Sequence, residues 1–298
     1  WTIYATLTAL CALGFWLAGM SGLDAIGHAF AALSTGGFST HDASFAHFNS
    51  VAIDVVAIVF MFLGSANFAL HFMAIRGRDP GLYWKDTEFQ AYFWLIVCVV
   101  LGTTVYLRLM GEFDSLGTAL HHAAFQVVSM QTSTGFLTTG FADWPGALPV
   151  LLMLLTFICG CAGSTAGGMK VIRWLLVFRQ GVAELKQLVH PSAEIPVKLA
   201  GRPVPQRIIG AVVGFFAIYL IVFATLMLLL MMFGVDQVTA WSAIATCINN
   251  TGPGLGEVAW TFQAQSDSAK WICTIAMLVG RVEIFTFVVL LTPAFWRP

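Results

Sequence analysis

Three short turns hold the oxygen atoms from which an ion site could be built. They are Leu33, Ser34, Thr35, Gly36 and Gly37; Gln131, Thr132, Ser133, Thr134 and Gly135; and Ile248, Asn249, Asn250, Thr251 and Gly252. Aligned on Gly37, Gly135 and Gly252, the turns lie 98 and 117 residues apart, the mark of a long repeated unit. Each ends in a glycine, which readily adopts the positive φ that lets consecutive carbonyls point one way, toward a common axis. Rings of carbonyls that replace a hydration shell are one way to select a cation. None of the turns contains a carboxylate, so the donors are backbone carbonyls and Ser, Thr and Asn oxygens. Such a neutral, weak-field ring suits a monovalent cation better than Ca²⁺ or Mg²⁺, which favour carboxylates. An anion would want rings of Arg or Lys, and these are missing, so potassium is the natural cargo.

A second constellation runs from Gly160 to Lys170 and contains Gly160, Gly163, Ser164, Thr165, Gly167 and Gly168. Four glycines within nine residues oppose a continuous helix, at about 1 kcal/mol each. A phosphate-binding loop would need Gly-Lys-Ser/Thr, whereas Met169 follows Gly168 and Val171 follows Lys170. The segment reads as a flexible gate just inside the turns, with a simple packing kink as the alternative. Arg281, in the middle of the last apolar stretch, is costly there by roughly 2.5–3.5 kcal/mol unless it faces protein or water. A cavity beneath the turns is its expected place, and a buried ion pair is the other. His28, His121 and His122 stand near the starts of short segments and His71 near an inner membrane end, and no pairing among them suggests haem ligation. The six cysteines, Cys11, Cys98, Cys159, Cys161, Cys247 and Cys273, lie in apolar stretches and read as small hydrophobes.

The elements that position these residues are membrane elements. Hydrophobic residues make up 58% of the 298 and charged ones only 10%, against about 25% in soluble domains. Six stretches reach spanning length: 2–20, 51–75, 89–110, 147–180, 208–233 and 270–295. The segments 22–33, 114–130 and 236–247 are too short to cross, and Asp24, Asp114 and Asp236 stand at their starts as helix-opening residues. A half-helix that enters from outside aims its negative C-terminal dipole at the axis and favours a cation there. Each unit is then an outward span, a re-entrant segment, a glycine turn and an inward span. Irregular backbone at that depth survives only inside protein or beside water. The expected fold is all-α, and the chain, starting at Trp1 within an apolar span, reads as part of a longer one.

Eleven of the fourteen Lys and Arg fall on one side of the alternating spans, including Arg76, Arg78, Lys85, Lys170 to Arg207, and Arg297. The positive-inside rule makes that side cytoplasmic. Asp24, Asp42, Glu112, Asp114, Asp143, Asp236, Glu257 and Asp267 collect outside, where they would attract cations. Residues 191–207, with Pro191, Pro196, Pro203 and Pro205, form a polar cytoplasmic linker or docking surface.

Taken together, residues 36–44, Gln131 to Phe136, Gly160 to Lys170 and Asn249 to Gly256 resemble the Trk/Ktr/HKT superfamily of potassium transporters. The likeness covers the whole chain and is strongest to the bacterial Trk potassium-uptake membrane subunit. The resemblance implies four helix–pore loop–helix repeats around a central ion pore, of which three are present, at 1–80, 81–190 and 208–298. The first repeat would be missing, and with it one filter residue; in plant relatives a Ser at that place goes with sodium transport. Carried over by position, Gly37, Gly135 and Gly252 are filter glycines, 160–169 is the intramembrane gate, and Arg281 is the pore arginine. The family further implies a homodimer in the bacterial inner membrane and a cytosolic nucleotide-binding regulatory ring. K⁺ is cargo, with no covalently bound cofactor, no enzymatic activity and no nucleic-acid partner expected. Two other readings stand beside this one. An ion-coupled carrier could use Asp54 or Glu283 for protons, and a haem-bearing redox subunit would need paired histidines.

Overall fold

The structure is a computed structural model that describes residues 1–193, 195–282, 284–290 and 292–296. Glu283 and Arg297 therefore lie outside the described residues. The chain is helical: α1 (Thr2–Leu17), α2 (Gly22–Leu33), α3 (Val51–Gly64), α4 (Phe68–Gly77), α5 (Leu82–Lys85), α6 (Thr87–Leu109), α7 (Leu116–Gln131), α8 (Leu148–Ile158), α9 (Val171–Val189), α10 (Gln206–Met232), α11 (Gln237–Asn249), α12 (Asp267–Arg281) and α13 (Ile284–Leu290). The expected all-α membrane architecture is what is found. Its only sheet among the described residues is a two-stranded hairpin, Lys198–Leu199 with Arg202–Pro203, inside the polar linker. Val197 packs there with Leu176, Ala183 and Ile209, which fastens the linker to α9 and α10.

The three short segments form α2, α7 and α11, close to where the hydrophobic pattern puts them. Their N-termini correct one detail. Only α11 is capped by its aspartate, with Asp236 accepting the Val238 and Thr239 N–H groups at 3.0 Å. Serines do the work in the other two: Ser21 accepts from Asp24 N at 3.2 Å and Ser115 from Thr118 N at 3.0 Å. A serine hydroxyl satisfies the same orphan N–H as a carboxylate would.

Only α6 and α10 are, among the described residues, long and apolar enough to cross a membrane unaided. The stretches 51–75 and 270–295 are not straight spans. α3 and α4 meet at 93°, and α12 and α13 at 104°. Just before each bend a glycine packs against a short-helix end. A Cβ on Gly64 would come 2.9 Å from the Leu33 carbonyl oxygen, and one on Gly280 would come 1.9 Å from that of Ile248. Helix direction changes where the backbone must fit around those carbonyls. The inward stretch of the middle unit, 147–180, is broken as expected, between α8 and α9. Large apolar side chains such as Leu13, Val59, Leu220 and Leu228 are exposed on the perimeter, as lipid-facing residues would be.

Two buried clusters share α7. Phe125 and Val128 join Phe15, Leu33, Phe45 and Met61 of the first unit, while Val127 and Met130 join Leu152, Tyr219, Ile244 and Ile248. The middle short helix is thus buried on opposite faces, and it is held to α3 by His121 Nε2, 2.8 Å from Asp54 Oδ2.

Candidate ion-conduction site

The three turns close their helices in the same way. Gly36, Thr134 and Thr251 donate their N–H to the carbonyls of Ala31, Ser129 and Thr246 at 2.8, 2.9 and 2.9 Å. The preceding residues, Thr35, Ser133 and Asn250, donate to Ala32, Met130 and Cys247 at 3.2, 3.1 and 3.1 Å. These are Schellman endings, in which the residue after the helix turns left-handed. Thr35, Ser133 and Asn250 do so at φ 51°, 56° and 56°. Two positions on, Gly37, Gly135 and Gly252 are again left-handed at 67°, 81° and 108°, while the residue between is not. The sequence shows the second left-handed position through its glycine. The first is hidden, because Thr and Ser are uncommon there and only Asn is favoured.

Side chains of the turns mostly look away into protein. Gln131 Nε2 donates to Cys159 O at 2.8 Å, Thr132 and Thr134 hydroxyls lie 2.7 Å apart, and Asn249 bonds Tyr219, Thr156 and Ala245. Gln131 Oε1 and Thr251 Oγ1 are buried without a hydrogen-bond partner, so these side-chain oxygens stand beside the backbone carbonyls as acceptors still to be satisfied.

The glycines also interlock successive turns. A Cβ on Gly37 would sit 1.9 Å from the Thr134 carbonyl oxygen, and one on Gly135 would sit 1.7 Å from that of Thr251. Each turn therefore lays a carbonyl into the space a side chain would occupy on the turn before. At Gly252 the series stops, since no other described atom lies within 4 Å of its Cβ position. The arc opens there into a cavity of about 740 Å³ lined by Ser34, Gly36, Gly37, Asn250, Gly252 and Arg281, among others.

Beneath the arc, the 159–170 loop touches all three units. The Thr165 hydroxyl shares its proton between the carbonyls of Leu33 at 2.8 Å and Gly64 at 2.9 Å. Gly167 N donates to Ser133 Oγ at 2.6 Å, and a Cβ on Gly167 would meet Asn249 O at 2.1 Å. Gly160 is pressed against Ser65 O, Gly163 accepts from Phe68 N at 3.2 Å, and Gly168 packs on Cys159 and Thr156. Ser164 donates to Cys161 O at 2.6 Å within the loop. Arg281 Nη1 reaches Thr165 O at 3.3 Å, so the arginine, the loop and the cavity meet at one place.

Three of the histidines make hydrogen-bond contacts within the fold. His28 contacts Asp24 O at 2.8 Å and Ser39 Oγ at 2.9 Å, His71 contacts Tyr83 and Leu63, and His122 contacts Thr138. Of the cysteines, all but Cys98 are buried, and all six are free thiols. Two residues escaped the sequence reading. Ser65, whose hydroxyl lies 3.4 Å from Thr132 O, belongs to a Gly-Ser-Ala-Asn run that could have flagged the first break. Glu88 stands in the first turn of α6, and only the fold brings it to the loop.

Residues 1–297 match the TrkH family, described as cation transport protein. The chain belongs to that family. It is 51% identical to the Trk system potassium uptake protein TrkH of Vibrio parahaemolyticus and 48% identical to that of Escherichia coli K12, with the whole chain aligned in both cases. It is 36% identical to the Trk system potassium uptake protein TrkG of the same E. coli strain. The crystal structure of the potassium transporter TrkH from V. parahaemolyticus matches with a TM-score of 0.96, covering 100% of this chain and 64% of that one. The chain spans 62% of the length of the first two relatives. The superfamily resemblance drawn from the turns thus stands. Its relatives are named as transporters rather than enzymes, and a multi-pass location in the bacterial inner membrane fits the family.

Proposed function

We propose that the full protein takes up potassium through a filter to which this chain contributes three of four turns, at 33–37, 131–135 and 248–252. The observation that carries this reading is the interlocked arc: identical helix endings, alternating left-handed residues, and carbonyls seated against Gly37 and Gly135. A monovalent cation stripped of water needs several fixed neutral oxygens, and this arc supplies them at the negative ends of three half-helices. The open edge at Gly252 has room for one more turn, in keeping with a fourth repeat. The units 1–80, 81–190 and 208–298 are the repeats, joined by the 191–207 linker. The loop 160–169 with Arg281 is the gate; its contacts with all three units support that role, because a segment bonded across the arc obstructs the path below it. A homodimer and a cytosolic nucleotide-binding subunit that moves the gate complete the system.

Cation flux in liposomes reconstituted with the full-length protein tests this directly. K⁺ and Rb⁺ should pass in preference to Na⁺, and equal passage of all three would remove the carbonyl filter. The buried Asp54–His121 contact favours a second reading, a carrier that couples K⁺ to H⁺. A fixed K⁺-to-H⁺ stoichiometry, in place of independent K⁺ flux, would select it.

A further inference from the structure

The neck of the 159–170 loop is drawn together at three points. Gly160 O accepts from Val171 N at 3.1 Å, Phe157 O accepts from Met169 N at 3.1 Å, and a single carboxylate oxygen bridges the two strands of the neck. That oxygen is Oε1 of Glu88, which accepts from Ala162 N at 2.6 Å and from Ile172 N at 3.2 Å. Glu88 itself is 7% exposed and stands in the first turn of α6, more than seventy positions away along the chain.

The placement has a chemical logic. Ile172 is in the first turn of α9, where N–H groups have no partner within the helix. The residue before α9, Lys170, supplies no side-chain cap. An anion at a helix N-terminus is favoured both by the free N–H and by the helix dipole. Glu88 thus caps α9 from another helix, and with the same atom holds the N–H of Ala162 at the other end of the loop.

We propose that Glu88 is the positioning residue of the gate: it clamps the neck of the 159–170 loop, so that the loop swings as one body with the start of α9. The proposal rests on the reading of that loop as the gate. It follows that a pull on α9 from the cytoplasmic side is passed to the loop through the Ile172–Glu88 bond. Withdrawal of that oxygen would release Ala162 and Ile172 together, because one oxygen serves both.

The test uses the full-length protein in liposomes and two readouts: hydrogen–deuterium exchange of peptides covering 159–172, with α10 peptides as internal reference, and basal Rb⁺ flux without any partner. Glu88→Ala leaves both N–H groups unpaired and should speed exchange at the neck by about tenfold relative to α10, with raised basal flux. Glu88→Gln keeps an acceptor oxygen in place and should restore most of the protection and the low flux. Should Glu88→Ala fail to insert, Glu88→Asp keeps the charge but withdraws the oxygen by one methylene, and it should resemble the alanine variant. Faster exchange without a rise in flux would uphold the clamp and sink the gate. Unchanged neck exchange in the alanine or aspartate variant, or Glu88→Gln exchanging as fast as Glu88→Ala, would overturn the clamp itself.

Discussion

The three turns and the three breaks beneath them obey opposite rules. The turns share one hydrogen-bond pattern and one sequence of left-handed residues, and the glycines of the first two interlock with the turn that follows. The breaks differ: residues 65–67 in the first unit, 159–170 in the second, and a sharp bend between Arg281 and Ile284 in the third. An axis that treats an ion alike from every side needs repetition, since one displaced carbonyl spoils the coordination. A barrier that must move needs one element freer than its neighbours. On the function proposed above, repetition marks the selective part and asymmetry the part that opens.

The strongest way to break this division is to disturb one turn. Gly135→Ser places a side chain where the Thr251 carbonyl lies 1.7 Å away, at a φ of 81° that side chains resist. The third turn must shift, and K⁺ preference over Na⁺ should fall about tenfold or more, equivalent to ~1.4 kcal/mol. Reversal potentials or competitive flux in liposomes would measure it. Retained discrimination would take Gly135 out of the filter. Basal flux in the absence of partner should change far less than selectivity.

Shortening the loop is the reciprocal experiment. Removal of several residues within 160–169 takes away the contacts to Leu33, Gly64 and Ser133 while leaving the turns intact. Basal conduction should rise several-fold with K⁺ preference preserved. If conduction instead drops in a correctly folded variant, the loop supports the pathway and does not close it.

How far the sequence disclosed this division depends on residue type. Gly37, Gly135 and Gly252 announced the turns because little else tolerates a left-handed backbone without strain. The glycine-dense 160–168 run announced the large break for a similar reason. Bends at 65–67 and after Arg281 stayed hidden because each adjoins a tertiary contact, Gly64 on Leu33 and Gly280 on Ile248, within stretches whose hydropathy alone spells a plain span. The partners of the polar turn side chains stayed hidden for a related reason. Asn249 and Gln131 have polar side chains whose partners Tyr219, Thr156 and Cys159 come from distant segments.

A finer cut separates the two roles within one contact. Thr165→Val keeps the side-chain volume but loses the proton shared by the Leu33 and Gly64 carbonyls. A hydrogen bond of this kind contributes about 1 kcal/mol, so the closed loop should become roughly fivefold easier to displace. Basal Rb⁺ flux should rise by that order, less than on shortening the loop. Altered selectivity in this variant would mean that the loop helps to hold the Leu33 carbonyl in the filter, and the line between the two regions would have to be moved inward.

The gentlest test lies at the outer end of α11, in the repeated framework and remote from the loop. Asp236 holds two N–H groups of that helix, and hydrogen bonds from Thr239 keep its carboxyl below the usual carboxylate range. A lowered pKa in the folded state means that the ionised cap stabilises fully above its ordinary value of 3.8, and that this contribution is lost as the pH falls below it toward the lowered value. Asp236→Ala should cost about 1 kcal/mol of stability, read as a lower Tm at neutral pH. Asp236→Asn should retain most of the cap and lose the acid dependence. Neither substitution should alter selectivity or basal flux, because the interlock at Gly135 and the loop contacts at Thr165 stay in place. A change in basal flux from so distant a cap would show that the framework is not the fixed partner the comparison takes it to be.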